Sequence, residues 1–208
     1  MNDLNRMHTG WCLIWVALLS VLAGCLEAAA TDEALARLMQ QMALRQHDHV
    51  AFVERNYLQI LERPLESSGE LFYDAPDRLE KRTLAPKPES LVLNKGTVTI
   101  RRGRRQYALA LRDYPQLAPL VDSVRATLAG DLAALQRSYY LQFETTASER
   151  ASEQASEWTL ILMPRDANLG ALIRQIRIAG ARDRIHTVEI SHQDGDHSEL
   201  AIHALAGN

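Results

Sequence analysis

Gly69-Glu70-Leu71-Phe72-Tyr73-Asp74, then Ala75-Pro76-Asp77, then Arg78-Leu79-Glu80-Lys81-Arg82-Thr83-Leu84: the fold is decided in this stretch. The first segment is rich in aromatic and branched residues, as a strand is, and the Pro-Asp tripeptide behind it carries turn chemistry. In the second segment Leu79, Lys81 and Thr83 alternate with Glu80 and Arg82, a period of two. Two extended segments joined by so short a turn are antiparallel neighbours.

The same grammar continues downstream. Pro86 and Pro88 end the second strand. Leu91-Val92-Leu93, Asn94-Lys95-Gly96 and Thr97-Val98-Thr99-Ile100 read as a hairpin. Arg101-Arg102-Gly103-Arg104-Arg105 reads as the next turn, and Tyr107 to Leu111 as a strand with Tyr107, Leu109 and Leu111 on one face. The period then changes. Pro115 to Ala129 carries Leu117, Leu120, Val121, Val124 and Leu128 on one helical stripe, with Gly130 as its stop. Asp131 is placed to cap a second helix bearing Leu132 and Leu135. Strands follow at Tyr139–Thr145, Trp158–Met163, Ile173–Ile178, Ile185–His192 and Glu199–Ala204, with a polar loop over Ala147–Ser156 and a hairpin at Asp194-Gly195. Upstream, Leu35, Leu38, Met39 and Met42 mark a helix over Asp32–Gln46, and Phe52–Ile60 reads as a strand. The reading is one α+β domain over residues 31–208, with no repeat and no linker.

The first 30 residues read as a signal peptide. Trp11 to Leu22 is nearly all apolar, shorter than the roughly 20 residues of a membrane span, and is followed by small residues. Two cleavage sites compete. Leu22-Ala23-Gly24-Cys25 has the form of a lipobox, in which Cys25 is lipidated; Ala28-Ala29-Ala30 has the small-x-small form of an ordinary peptidase site. Either exports the protein, and the first also anchors it. The 208 residues hold two cysteines, Cys12 and Cys25, both in this segment, so the fold rests on packing without disulfides. A net charge of −3 gives no overall attraction to nucleic acid or anionic lipid.

The chain shows no nucleophile-elbow, dinucleotide or phosphate-loop motif. His192, Asp194, Asp196 and His197 have metal-ligand chemistry but straddle a hairpin tip, where Asp and Gly are ordinary turn residues. His47-Asp48-His49 reads as a polar junction between helix and strand, and Arg101–Arg105 as a solvated tip without aromatic partners. No catalytic residue, metal site or cofactor is expected.

Arg63-Pro64-Leu65-Glu66-Ser67-Ser68 leading into the opening stretch, and its continuation through Pro86, Pro88, Glu89, Ser90, Leu91, Val92, Leu93, Asn94 and Gly96, resemble the outer-membrane lipoprotein carrier (LolA-like) family, as do Ala51-Phe52-Val53-Glu54 upstream and Ile176-Arg177-Ile178 and Val188-Glu189-Ile190 downstream. The chain is most similar to a divergent LolA-related branch. The resemblance implies a strongly curved antiparallel sheet, an unclosed half-barrel, with helices covering its concave face and an apolar cavity between. It further implies a periplasmic carrier that shelters the acyl chains of lipoproteins or lipid-like cargo on the way to the outer membrane, loaded and unloaded by an inner-membrane exporter and an outer-membrane acceptor. The chain would be a monomer with no enzyme activity and no nucleic-acid partner. The alternative is a lipid-anchored acceptor or accessory subunit of a lipid-product exporter. The expected cargo wall is Leu71, Tyr73, Leu79, Leu91, Leu93, Leu120, Val124, Leu128, Leu132, Leu135, Leu160 and Leu162. One departure stands out: the family places an arginine before the turn proline, where it bonds to the lid, and this chain has Ala75 before Pro76.

Overall fold

The computed structural model describes residues 31–115, 118–146 and 157–205. The expected signal peptide with Cys12 and Cys25, Leu117 and the loop over 147–156 lie outside them.

A helix over 31–43 (α1) opens the described chain. Its stripe residues Leu35, Leu38, Met39 and Met42 are all buried. Six strands follow: β1 (His47–Tyr57), β2 (Leu65–Asp74), β3 (Arg78–Ala85), β4 (Glu89–Asn94), β5 (Thr97–Arg102) and β6 (Arg105–Ala110). A 3-10 turn (Leu111–Asp113) leads to helices α2 (Ala118–Leu128) and α3 (Leu132–Ser138). The chain closes with β7 (Tyr139–Thr146), β8 (Glu157–Pro164), the short helix α4 (Ala167–Gly170), β9 (Ile173–Ala181), β10 (Arg184–His192) and β11 (His197–His203). All eleven strands form one antiparallel sheet in the order β6-β5-β4-β3-β2-β1-β11-β10-β9-β8-β7. The architecture is α+β, with a curved sheet that does not close. Two meanders, β1–β6 and β7–β11, join where β1 pairs with β11.

Several boundaries move from their sequence expectations. The first strand starts at His47 rather than Phe52, because it pairs with β2 from His47↔Asp74 to Asn56↔Leu65. His47-Asp48-His49 is therefore strand, not junction. The turn expected over Arg101–Arg105 is there but tighter: Arg101 and Arg102 end β5 and Arg105 begins β6, leaving a two-residue loop in which Gly103 takes φ +57. The helix expected over Pro115–Ala129 is present as α2 over Ala118–Leu128, behind the 3-10 turn.

Gly130 shows why the helical hairpin turns where it does. Its φ is +66, and a Cβ there would lie 2.1 Å from the Met39 carbonyl and 2.9 Å from the Ala43 Cβ. Only glycine allows the α2–α3 turn to come this close to the end of α1. Asp131 then caps α3 by accepting from the Ala134 amide at 2.9 Å, as expected.

The two faces of the sheet differ sharply. On the outer face charges pair along and across strands. Glu80, almost buried, accepts from Arg78 at 2.7 Å and from Arg82 at 2.8 Å, and His47 and His49 meet Asp74 and Glu70. His49 stacks on Phe72, and Arg82 lies over that ring from 4.5 Å. The inner face is mainly apolar, broken by Glu54 and Lys81.

Candidate functional site: an apolar cavity beneath α2

Strand alternation places Leu71 and Tyr73 of β2, Leu79 of β3, and Leu91 and Leu93 of β4 on the inner face, since directly paired residues share a face: Tyr73↔Leu79↔Leu93 and Lys81↔Leu91. Val50 of β1, Val188 and Ile190 of β10, and Leu200 and Ile202 of β11 extend it. Above this floor stands α2, with Val121, Val124 and Leu128 at i, i+3 and i+7 pointing down. Helix and sheet do not close on one another. Between them is a cavity of about 490 Å³, within the range that holds one small ligand.

The lid helix is not the simple amphipathic rod its sequence suggests. Its fully buried side chains are Ser123, Ala126 and Thr127, with the two hydroxyls donating to the carbonyls of Leu120 and Ser123, both at 2.7 Å. Its apolar stripe is only half-buried. Small and self-satisfied residues let one side pack closely, while the large apolar side chains face empty space.

Seven of the expected wall residues line the cavity: Leu71, Tyr73, Leu79, Leu91, Leu93, Val124 and Leu128. Five do not. Leu135, Leu160 and Leu162 are fully buried in solid packing, and Leu120 and Leu132 do not reach the space. Leu160 and Leu162 sit on β8, paired to Ile178 and Ile176 of β9, away from the strands under the cavity. None of the expected wall residues lies on β10 or β11, which contribute much of the floor. The alternation of Leu200 with Ile202, and of Val188 with Ile190, carried that signal.

Against known proteins, the family model described as "Outer membrane lipoprotein carrier protein LolA-like" matches residues 23–207. The chain belongs to the LolA-like family. Solved structures similar to it include a LolA superfamily protein of Nitrosomonas europaea (9% identity, 86% of this chain and 95% of that one, TM-score 0.41). A DUF1329 family protein of Desulfovibrio piger (8%, 84% and 92%, TM-score 0.45) and a putative outer membrane lipoprotein-sorting protein domain of Vibrio parahaemolyticus (12%, 80% and 89%, TM-score 0.40) are similar too. Among curated proteins, none matches the chain.

In this LolA-like chain three polar features border the apolar space. First, Lys81 reaches across the inner face to both carboxylate oxygens of Glu54, each at 2.6 Å, and Ser67 donates to the same carboxylate at 3.1 Å. The residue between their strands is Gly69, where a Cβ would sit 2.0 Å from the Arg82 carbonyl. Its bare backbone lets the β3 main chain at Arg82 and Leu84 come this close. Second, Arg45 bridges Asp48 and Asp183 at the rim, donating to the Asp183 carboxylate at 2.6 Å and its carbonyl at 2.8 Å. Burial raises the Asp183 pKa, but the Arg45 hydrogen bond and charge outweigh it and hold this carboxyl below the usual range. Third, Arg125 of α2 binds Asp122 at 2.9 Å on its own helix and faces Asp77, in the β2–β3 turn, at 3.8 Å. Ala75 leaves that turn without an arginine, and here the arginine comes from the lid and the carboxylate from the turn. Close by, burial pushes the Tyr73 phenol up, and its hydroxyl has no hydrogen-bond partner among the described residues.

A wider depression of about 820 Å³ lies toward the outer face, lined by His47, His49, Asp74, Arg78, Glu80 and Arg82. Those side chains already pair with one another or with Glu70, and Val50, Phe72, Ala204 and Leu205 make the wall a mixed one. At the β10–β11 tip, Asp196 accepts from the Gln59 amide at 2.9 Å and from none of the imidazoles, while His197 stacks on Tyr57 at 4.4 Å. No group of three or more metal-ligating side chains is assembled among the described residues.

Proposed function

We propose that the protein is a periplasmic carrier which shelters the acyl chain of a lipoprotein or related amphiphile in the cavity beneath α2 during transport toward the outer membrane. The observation that carries this reading is the unfilled apolar space between Val121, Val124 and Leu128 above and Leu71, Leu91 and Leu200 below. Apolar cavities stay dry and take up apolar ligands. Each methylene moved from water into one gains about 0.8 kcal/mol, enough over a chain to hold cargo without a single polar contact. The chemistry needed is burial and release, so no catalytic residue is assigned. An inner-membrane exporter would supply the cargo and an outer-membrane acceptor would take it.

The test is mass spectrometry of lipids that co-purify with the protein, followed by titration with a fluorescent fatty-acid analogue. Saturable binding, competed by the recovered lipid, is expected. Absence of any acylated molecule together with failure to bind the analogue would sink the proposal.

The second reading, an anchored acceptor, is favoured by Leu22-Ala23-Gly24-Cys25. Metabolic labelling with a fatty-acid analogue separates the two. Label that disappears in Cys25→Ser establishes the anchor; wild-type protein that never takes up label removes it.

A further inference from the structure

The cavity wall does not stop at β4. Leu91 pairs with Ile100 and Ile100 with Tyr107; Leu93 pairs with Val98 and Val98 with Leu109. Opposed residues share a face, so two apolar rows run from the cavity wall across β5 to β6. There the sheet ends, for β6 is an open edge. Tyr107 is 49% exposed and Leu109 37% exposed, unusual for side chains continuous with a core. The next row toward the hairpin tip is Glu89↔Arg102↔Arg105. One face of the edge strand therefore reads Arg105, Tyr107, Leu109: cation, aromatic, aliphatic. Arg101, Arg102, Arg104 and Arg105 are all exposed. Glu89 is the one carboxylate on β4, β5 and β6, and it is taken by Arg102 at 2.5 Å.

We infer that the β5–β6 edge is a docking surface for an anionic phospholipid bilayer, with Arg104 and Arg105 against the phosphates and Tyr107 and Leu109 in the interfacial layer. The order of side chains along β6 follows the polarity gradient of a membrane surface: charge in the headgroups, an amphipathic ring at the boundary, an aliphatic chain below. The net charge of −3 is no obstacle, because attraction to a charged surface acts within about 10 Å, where only the tip's own charges count. A nucleic-acid strand would call for several stacking platforms, and this edge has one aromatic ring. Docking stands independently of the carrier reading. Its use does rest on that reading: the two apolar rows would let an acyl chain pass between bilayer and cavity without entering water.

The experiment is co-sedimentation with vesicles of phosphatidylcholine, and with vesicles in which a third of the lipid is phosphatidylglycerol. Every sample carries Cys25→Ser, so no lipid anchor contributes. Binding to the anionic vesicles, weakening with salt, is expected. Arg104→Ser/Arg105→Ser should weaken it about thirtyfold, since each basic residue near such a surface contributes about a fivefold gain. Tyr107→Ser/Leu109→Ser should remove the binding that survives high salt. Circular dichroism verifies that these exposed positions leave the fold intact, and the fatty-acid analogue reports the cavity separately. Equal binding to both vesicle types, undiminished binding by the arginine variant, or retention on polyglutamate without binding to anionic vesicles would each overturn the inference. Lost vesicle binding with normal uptake of the analogue would mark the docking surface itself.

Discussion

Replacing Asp77 with Asn removes the carboxylate that faces the lid arginine and leaves almost everything else in place. The Arg125 to Asp77 distance is 3.8 Å, beyond hydrogen-bond range, so the interaction is Coulombic. Two unit charges that far apart gain about 1 kcal/mol in water and about 4 kcal/mol at an effective dielectric of 20. Asp77 is 42% exposed, which puts the pair near the lower figure, at about 0.5–1 kcal/mol. Asp122 still holds Arg125 at 2.9 Å in the variant, so the guanidinium is not stranded. A change of that size alters the open population of the lid about two- to fivefold. Stopped-flow release of a bound fluorescent fatty acid should accelerate by that factor at low salt, with the unfolding midpoint nearly unchanged. High salt should bring wild type toward the variant, because the lost interaction is screened. Arg125→Gln combined with Asp77→Asn should release no faster than Asp77→Asn. Identical release from wild type and Asp77→Asn at low salt would show that this pair does not hold the lid.

Cavity wall and core should separate cleanly. Leu91→Asp, placing a charge in the apolar space, should lower analogue affinity at least tenfold in a folded protein, whereas Leu162→Ala should cost about 2–5 kcal/mol in urea unfolding and leave the affinity of the folded fraction unchanged. Gly130→Ala should destabilise by about 2 kcal/mol or more, from the left-handed backbone and from the clash with the Met39 carbonyl; a variant as stable as wild type would refute the close approach of turn and helix. Asp183 binds its proton less readily in the folded protein than at its ordinary 3.8, so its contribution is complete above about pH 4 and is lost as pH falls through the lower folded value. Acid unfolding followed by circular dichroism should therefore show a shallower acid limb in Asp183→Asn, and an unaltered limb would remove the Arg45 bridge from the account of acid stability.

Much of the architecture was legible in local pattern. The alternation Leu71/Tyr73 and Leu79/Lys81, the proline turn at Pro76 and the glycine turns at Gly96 and Gly195 each depend on residues a few positions apart, and each lies where expected. The boundaries that moved were those set from outside the segment. His47-Asp48-His49 became strand because Asp74, 27 positions on, pairs with His47. The Glu54–Lys81 bridge, also spanning 27 positions, was invisible for the same reason.

What the sequence determined by itself is which side chains share a face, because the period of a strand or helix is fixed by the backbone and repeats within a few residues. It could not tell a wall from a core. Leu91 and Leu162 have the same chemistry and the same alternation, yet one borders empty space and the other is sealed against Ile176. The difference is how far α2 stands off the sheet, and that distance is set by contacts remote in sequence: Gly130 against Met39, the small buried side of α2, and Arg125 facing Asp77. Only the assembled tertiary structure fixes such a separation, since no local preference measures the gap between elements that meet only after folding.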